Sequence, residues 1–168
     1  MRKGFSLFEV LIYLSIAFVV MAVIVGFVFW LIDSNNKNRI MREVSNSAKR
    51  SLEIMTYEIR EAKSVYSPTT SSEQLSLQTN LYLPTGEDSS YVDFYLCSNR
   101  LCMKKESQDP IVITPDNVEV SNLSFVYIPP DSVKINITLS YKNVSARPEY
   151  DFLVSLSSAA SLRYYDNQ

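Results

Sequence analysis

The chain has 168 residues and a formal net charge of −2, which predicts neither a nucleic-acid-binding protein nor an acidic tail. It contains no histidine, and this removes the commonest general base and the commonest metal ligand. Its three glycines are too few to form a glycine-rich phosphate-binding loop.

The N-terminal segment is short and basic, and a long uncharged run follows it. Arg2 and Lys3 precede Gly4-Phe5-Ser6-Leu7-Phe8-Glu9, and no charged residue occurs from Val10 to Ile32. As a helix with a rise of about 1.5 Å per residue, this run is long enough to cross a bilayer core of about 30 Å. Glu9 stands at the head of the run, where ionisable residues are uncommon and usually have a partner.

Two common kinds of targeting segment account for this region incompletely. A secretory signal peptide has a shorter apolar region that ends in small residues, whereas this run ends in the bulky residues of 27–30. A plain signal anchor, with Arg2 and Lys3 kept in the cytoplasm, fits the charges but leaves Glu9 without an explanation.

Gly4, Phe5 and Glu9, together with the apolar run, resemble the leader of type IV pilins and type II secretion pseudopilins. The resemblance implies that a prepilin peptidase cleaves after Gly4 and methylates the new N-terminal residue, Phe5. It also implies that Glu9 of one subunit pairs with the Phe5 ammonium of a neighbour. Such pairing would compensate a charge in an apolar bundle and set the register between helices. A glutamate that only lies among lipid headgroups is the alternative.

Gly26 lies inside the apolar run, where members of this family often carry a helix-loosening proline or glycine. Glycine lowers helix stability by about 1 kcal/mol relative to alanine. The residue is therefore a candidate for local loosening of the helix during assembly. Close packing against a neighbouring helix is an equally good explanation.

Residues 33–66 are predicted to continue the helix, because they contain neither proline nor glycine and Pro68 follows them. Apolar residues recur every three or four positions, as on one face of an amphipathic helix that packs on a sheet. They are Ile40, Val44, Ala48, Leu52, Met55, Ile59, Ala62 and Tyr66. The charged residues, Glu58 among them, are assigned to the solvated face.

Residues 67–168 are predicted to form a β-rich globular head. Strand signals occur at 75–78, 91–97, 101–103, 110–115, 118–127, 133–141 and 152–156. The short turns between them favour an antiparallel sheet, which the helix stripe covers. The predicted fold class is α+β: a leader (1–4), a transmembrane or filament-core helix (5–32), an amphipathic helix (33–66) and this head.

Cys97 and Cys102 are predicted to face each other at the base of a hairpin. Behind a membrane-targeting segment they indicate a disulfide in an oxidising compartment, and a reduced pair of half-buried thiols is the alternative. Two thiols without histidine are too few for structural zinc. Asp88, Asp93 and Asp109 lack the dense ligand spacing of a calcium loop, so neither a metal nor a cofactor is expected.

Short strings near the predicted helix end (59–62) and in the head (117–127, 133–141 and 161–163) resemble J-type minor pseudopilins and W-type minor pilins. The resemblance implies a structural minor subunit of a type IV pilus or type II secretion pseudopilus, which helps to prime assembly near the tip. Its partners would be other pilin or pseudopilin subunits, prepilin peptidase, the inner-membrane assembly platform and, before assembly, membrane lipid. It would cross the bacterial inner membrane once, with a cytoplasmic N-terminus and an extracytoplasmic head.

The alternative is a minor pilin that acts as a binding module at the filament tip, for adhesion or DNA uptake. DNA binding needs a basic, aromatic-lined patch, and Arg100, Lys104 and Lys105 are the only clustered bases in the head. A solvated hairpin is the simpler interpretation, so nucleic acid is not the expected partner. The serines have no histidine or evident lysine partner, and we therefore expect no enzyme.

Overall fold

The structure is a computed structural model that describes residues 6–81, 83–143 and 150–163. Its elements, in chain order, are α1 (Leu7–Glu61), β1 (Ser64–Val65), β2 (Leu75–Thr79), β3 (Ser90–Cys97), β4 (Arg100–Lys105), β5 (Ile111–Val112), β6 (Val118–Ile128), β7 (Ser132–Tyr141) and β8 (Leu153–Ser161). All strand pairings between them are antiparallel. The predicted α+β class is confirmed. The chain divides into two compact units, Met1–Arg39 and Ile40–Gln168.

In the first unit, the apolar part of α1 has no buried face. Its large hydrophobic side chains from Leu7 to Ile32 are all exposed, so apolar surface covers the helix on every side. A helix that is apolar all round must be buried by something other than water. By length and composition, this helix could cross a membrane.

In the second unit, one face of α1 is buried. Ile40, Val44, Ala48, Met55 and Ile59 are at most 5% exposed, which confirms most of the predicted stripe. The stripe also contains polar residues that the apolar pattern did not include. These are Ser47, Ser51 and Glu58, which are buried beside their apolar neighbours at helical spacing.

The predicted end of the helix, at residue 66, is wrong by about one turn. The helix ends at Glu61, and Ser64–Val65 form the short strand β1, which pairs with β2. The Lys63 backbone N–H donates to the Gln78 carbonyl oxygen (2.8 Å), and the Tyr66 N–H donates to that of Ser76 (2.9 Å). These bonds to β2 replace those of a further helical turn. The apolar spacing continues to Tyr66 by coincidence, so it does not reveal that the helix ends at Glu61.

The strands form two antiparallel sheets. One has the order β1-β2-β3-β4-β5, and the other has the order β6-β7-β8. Their inward-facing residues, such as Phe94, Met103, Phe125 and Ile135, join the buried residues of α1 in one hydrophobic cluster. Alternation in sequence predicts which side chains point inward, but it does not predict which strand edges meet.

Candidate functional site

Glu9 lies in the first turn of α1. The backbone N–H groups of Glu9 and Val10 both donate to the Ser6 carbonyl oxygen, at 3.0 and 3.2 Å, and this closes the first turn. A carboxylate here interacts favourably with the positive end of the helix dipole. The side chain is exposed, and it has no ion pair with any other residue in 6–81, 83–143 or 150–163. Gly4 and Phe5, the predicted cleavage and methylation positions, lie outside the described residues.

Gly26 lies within the unbroken helix α1. Apart from its chain neighbours and the backbone of its own helix turn, a Cβ atom added at this position would meet no atom within 4 Å. No other part of the described chain therefore comes close enough to require glycine at this position. A role for Gly26 must come either from its effect on helix stability or from contact with another molecule.

The β3–β4 hairpin carries the two cysteines. Ser98 and Asn99 form its two-residue turn, with φ angles of 49° and 60°, as a type I′ turn requires. Cys97 and Cys102 are joined by a disulfide, with their Cα atoms 5.9 Å apart. They do not face each other as predicted, because this tight turn places Arg100 opposite Cys97. The disulfide therefore crosses the hairpin diagonally.

The three bases of β4 do not form one basic patch. Side chains alternate along a strand, so Arg100 and Lys104 belong to one face and Lys105 to the other. Arg100 forms an ion pair with Asp116, whereas Lys104 is exposed. Lys105 is largely buried on the core side of β4. The possible nucleic-acid surface at Arg100, Lys104 and Lys105 is thus divided between two faces of the sheet.

Lys105 forms an ion pair with Glu58, with its Nζ atom 3.1 Å from Oε1 of the carboxylate. The side chain of Glu58 is 7% exposed and that of Lys105 is 13% exposed. The assignment of Glu58 to the solvated face is therefore wrong. Glu58 follows Met55 by three positions and precedes Ile59, so helical spacing alone could have placed it on the buried face.

No group of three or more histidine, cysteine, aspartate or glutamate residues within the described ranges could hold a metal ion. Asp88, Asp93 and Asp109, the carboxylates considered for calcium, accordingly form no such group in the described part of the chain.

The fold and these residues define an α+β protein with a disulfide-bonded β head and one N-terminal helix that could cross a membrane. No protein-family model, curated protein or solved structure matches this chain.

Proposed function

We propose that this protein is a minor pilin or pseudopilin, a structural subunit of a type IV pilus or type II secretion pseudopilus. In this proposal, prepilin peptidase cleaves after Gly4 and methylates Phe5, and the mature subunit waits in the inner membrane before assembly. It then helps to prime the filament near its tip. The observation that carries the proposal is Glu9, which follows Gly4-Phe5 and lies in the first turn of an exposed apolar helix.

The exposed apolar surface of α1 supports this proposal. A helix with such a surface can be in contact with lipid before assembly and with other helices after it. Lipid tails cover this surface before assembly, and the same helical segments of neighbouring subunits cover it afterwards. Helices in an apolar environment associate through close packing and through polar contacts between them. A filament core made of these helices would keep the apolar surface away from water at both stages.

Glu9 supplies the polar contact in this scheme. A carboxylate in an apolar bundle is costly unless a cation pairs with it. Cleavage after Gly4 creates an ammonium on Phe5, and in a filament this group on one subunit can reach Glu9 of the next. Each new subunit would then bring one carboxylate and one ammonium, and their pairing would define the axial position of its helix.

The disulfide supports the placement of the head outside the cytoplasm, because disulfides persist in oxidising compartments. Arg2 and Lys3 support a cytoplasmic N-terminus by the positive-inside rule. The division of the hairpin bases between two faces gives no support to a DNA-uptake role, so the assembly role is preferred.

The proposal is tested by Glu9→Ala in the producing cell. The variant should remain in the membrane fraction at the wild-type level, whereas its amount in sheared filaments should fall by at least about tenfold. Asp33→Ala is the matched control, because Asp33 is an exposed carboxylate just beyond the other end of the apolar run. Wild-type incorporation of the Glu9→Ala subunit would refute the role given to Glu9.

A further inference from the structure

A small cleft opens on the face of the five-stranded sheet that lies opposite the hydrophobic core. Its volume is about 260 Å³, and Tyr66, Tyr91, Asp93, Lys104 and Glu106 are among its lining residues. Tyr91 and Asp93 alternate along β3 with the buried Val92 and Phe94, so they point to the outer face.

One wall of the cleft is the segment 66–70, which hydrogen bonds hold against β2. The Tyr66 N–H donates to the Ser76 carbonyl oxygen (2.9 Å), and the Thr70 hydroxyl donates to the Tyr66 carbonyl oxygen (2.9 Å). The Ser76 N–H in turn donates to the Thr70 hydroxyl oxygen (3.1 Å). The wall is therefore in place before any ligand arrives.

The opposite wall is the turn that follows β4. The Glu106 N–H donates to the Tyr91 carbonyl oxygen (2.9 Å), and a Glu106 carboxylate oxygen accepts from the Tyr91 N–H (3.1 Å). Both walls are thus tied to the sheet. A preformed site of this kind loses less conformational entropy when it binds a ligand.

The residues that line the cleft include two aromatic rings and two charged side chains that can form hydrogen bonds with a ligand. The rings of Tyr66 and Tyr91 are in contact, with centroids 4.9 Å apart at an angle of 60°. Asp93 and Lys104 lie directly opposite each other on β3 and β4. Even so, neither forms an ion pair within the described ranges of the chain. The cleft therefore offers an apolar ring surface, a hydrogen-bond acceptor and a hydrogen-bond donor close together.

We propose that this cleft binds one sugar unit of a glycan. A sugar ring has a C–H face that can pack on a tyrosine ring, and its neighbouring hydroxyls both donate and accept hydrogen bonds. One hydroxyl would donate to the Asp93 carboxylate, and the next would accept from the Lys104 ammonium. The volume lies below the range of about 300–1,000 Å³ typical of drug-sized ligands and suits one small ring.

Other ligand classes fit this lining less well. A phosphate or another anion would meet the carboxylates of Asp93 and Glu106 against the single ammonium of Lys104. A purely apolar ligand would desolvate Asp93 and Lys104 without giving them hydrogen bonds. A neutral molecule rich in hydroxyl groups avoids both costs.

The test uses the full chain in detergent micelles, with its disulfide intact, and saturation-transfer NMR with glucose, galactose, mannose and N-acetylglucosamine as separate probes. At least one sugar should bind, and Tyr91→Ala should weaken that binding by about tenfold or more. Asp93→Asn and Lys104→Gln should each weaken it by about fivefold or more, because each removes one charged hydrogen-bond partner. Asp93→Asn and Lys104→Gln are small changes on a solvated face, so they test the proposal even if the Tyr91→Ala variant does not fold.

The control variants are Tyr57→Ala, on exposed helix surface outside the cleft, and Lys134→Gln, on β7; neither should change sugar binding. The proposal is overturned if folded wild-type protein binds no probe up to about 50 mM, or if the cleft variants bind as tightly as the controls. Glycine, added as a competitor, should not displace the sugar, and displacement would indicate a site for zwitterions instead. Asp93→Asn should enter filaments normally, so this result is independent of the assembly role.

Discussion

Glu58 of α1 and Lys105 of β4 form an ion pair inside the head, with 3.1 Å between Oε1 and Nζ. Both side chains are largely shielded from water. Removing one member of such a pair costs much more than breaking a surface salt bridge, because the other charge loses compensation in a place that water reaches poorly. The pair joins the helix to the first sheet and restricts how the helix can rotate on it.

We expect Glu58→Gln to lower the free energy of unfolding of the head by about 3 kcal/mol. The amide keeps the size of the side chain but removes the charge that compensates Lys105. The measurement is urea unfolding of the full chain in detergent micelles, followed by near-ultraviolet circular dichroism of the head tyrosines.

Glu53→Gln is the matched control, because Glu53 is an exposed carboxylate on the same helix. It should change the free energy of unfolding by no more than about 0.5 kcal/mol. Replacing both members of the buried pair by methionine should recover much of the loss. Equal effects of Glu58→Gln and Glu53→Gln would show that the pair contributes nothing.

Replacing Ser51 is expected to raise the free energy of unfolding, in contrast to replacing Glu58. Ser51 is fully buried in α1, and its hydroxyl has no hydrogen-bond partner in the described part of the chain. A buried hydroxyl without a partner is destabilising, and alanine is the better helix former. Ser51→Ala should therefore raise the free energy of unfolding by about 1 kcal/mol in the same urea measurement.

Ser45→Ala separates the two contributions. Ser45 is a half-buried residue of the same helix, and its hydroxyl, unlike that of Ser51, is not both buried and without a partner in the described part of the chain. Its expected gain is about 0.5 kcal/mol or less, from helix propensity alone. A loss of stability in Ser51→Ala would show that this hydroxyl does make a hydrogen bond.

Much of the fold could be predicted because its determinants are local. Spacings of three and four placed Ile40, Val44 and Met55 on the buried face, and strict alternation placed β7 correctly to within a residue. The division into two sheets could not be predicted, since it depends on which edges meet after the chain has folded. The end of α1 was missed because pairing between β1 and β2, a contact distant in sequence, outweighs the local apolar pattern.

The candidate sites divide in a similar way. The cysteine pair could be proposed from spacing, but its diagonal geometry depends on the turn at Ser98 and Asn99. The pairing of Lys105 with Glu58 joins residues far apart in the chain, and a charged residue on a helix is ordinarily assigned to solvent. Hydrophobic patterning ignores polar residues on a buried stripe, so it does not identify Ser51 as buried and it assigns Glu58 to the solvated face.

Gly26 can be tested in the isolated chain and then during assembly. Because a Cβ at this position would meet no atom within 4 Å beyond its chain neighbours and its own helix backbone, Gly26→Ala should leave the described structure unchanged. It should slow amide hydrogen exchange around residues 22–30 by about fivefold, the equivalent of about 1 kcal/mol of helix propensity. Unchanged exchange would mean that glycine does not weaken the helix here.

The same position distinguishes the two roles considered for Gly26 in filaments. If local loosening is needed, Gly26→Ala should already reduce incorporation into sheared filaments. If the glycine only permits close packing, alanine should be tolerated and Gly26→Leu should block incorporation. Both variants should remain in the membrane fraction.

We propose that Gly4, Phe5 and Glu9 are a processing site and an assembly residue, rather than parts of an ordinary membrane anchor. The most direct test is N-terminal sequencing with mass spectrometry of the protein purified from the membranes of its own cells. We expect a mature chain that begins at Phe5 and carries a methyl group on its amine. A chain that still begins at Met1, or one cleaved beyond the apolar run, would contradict processing after Gly4.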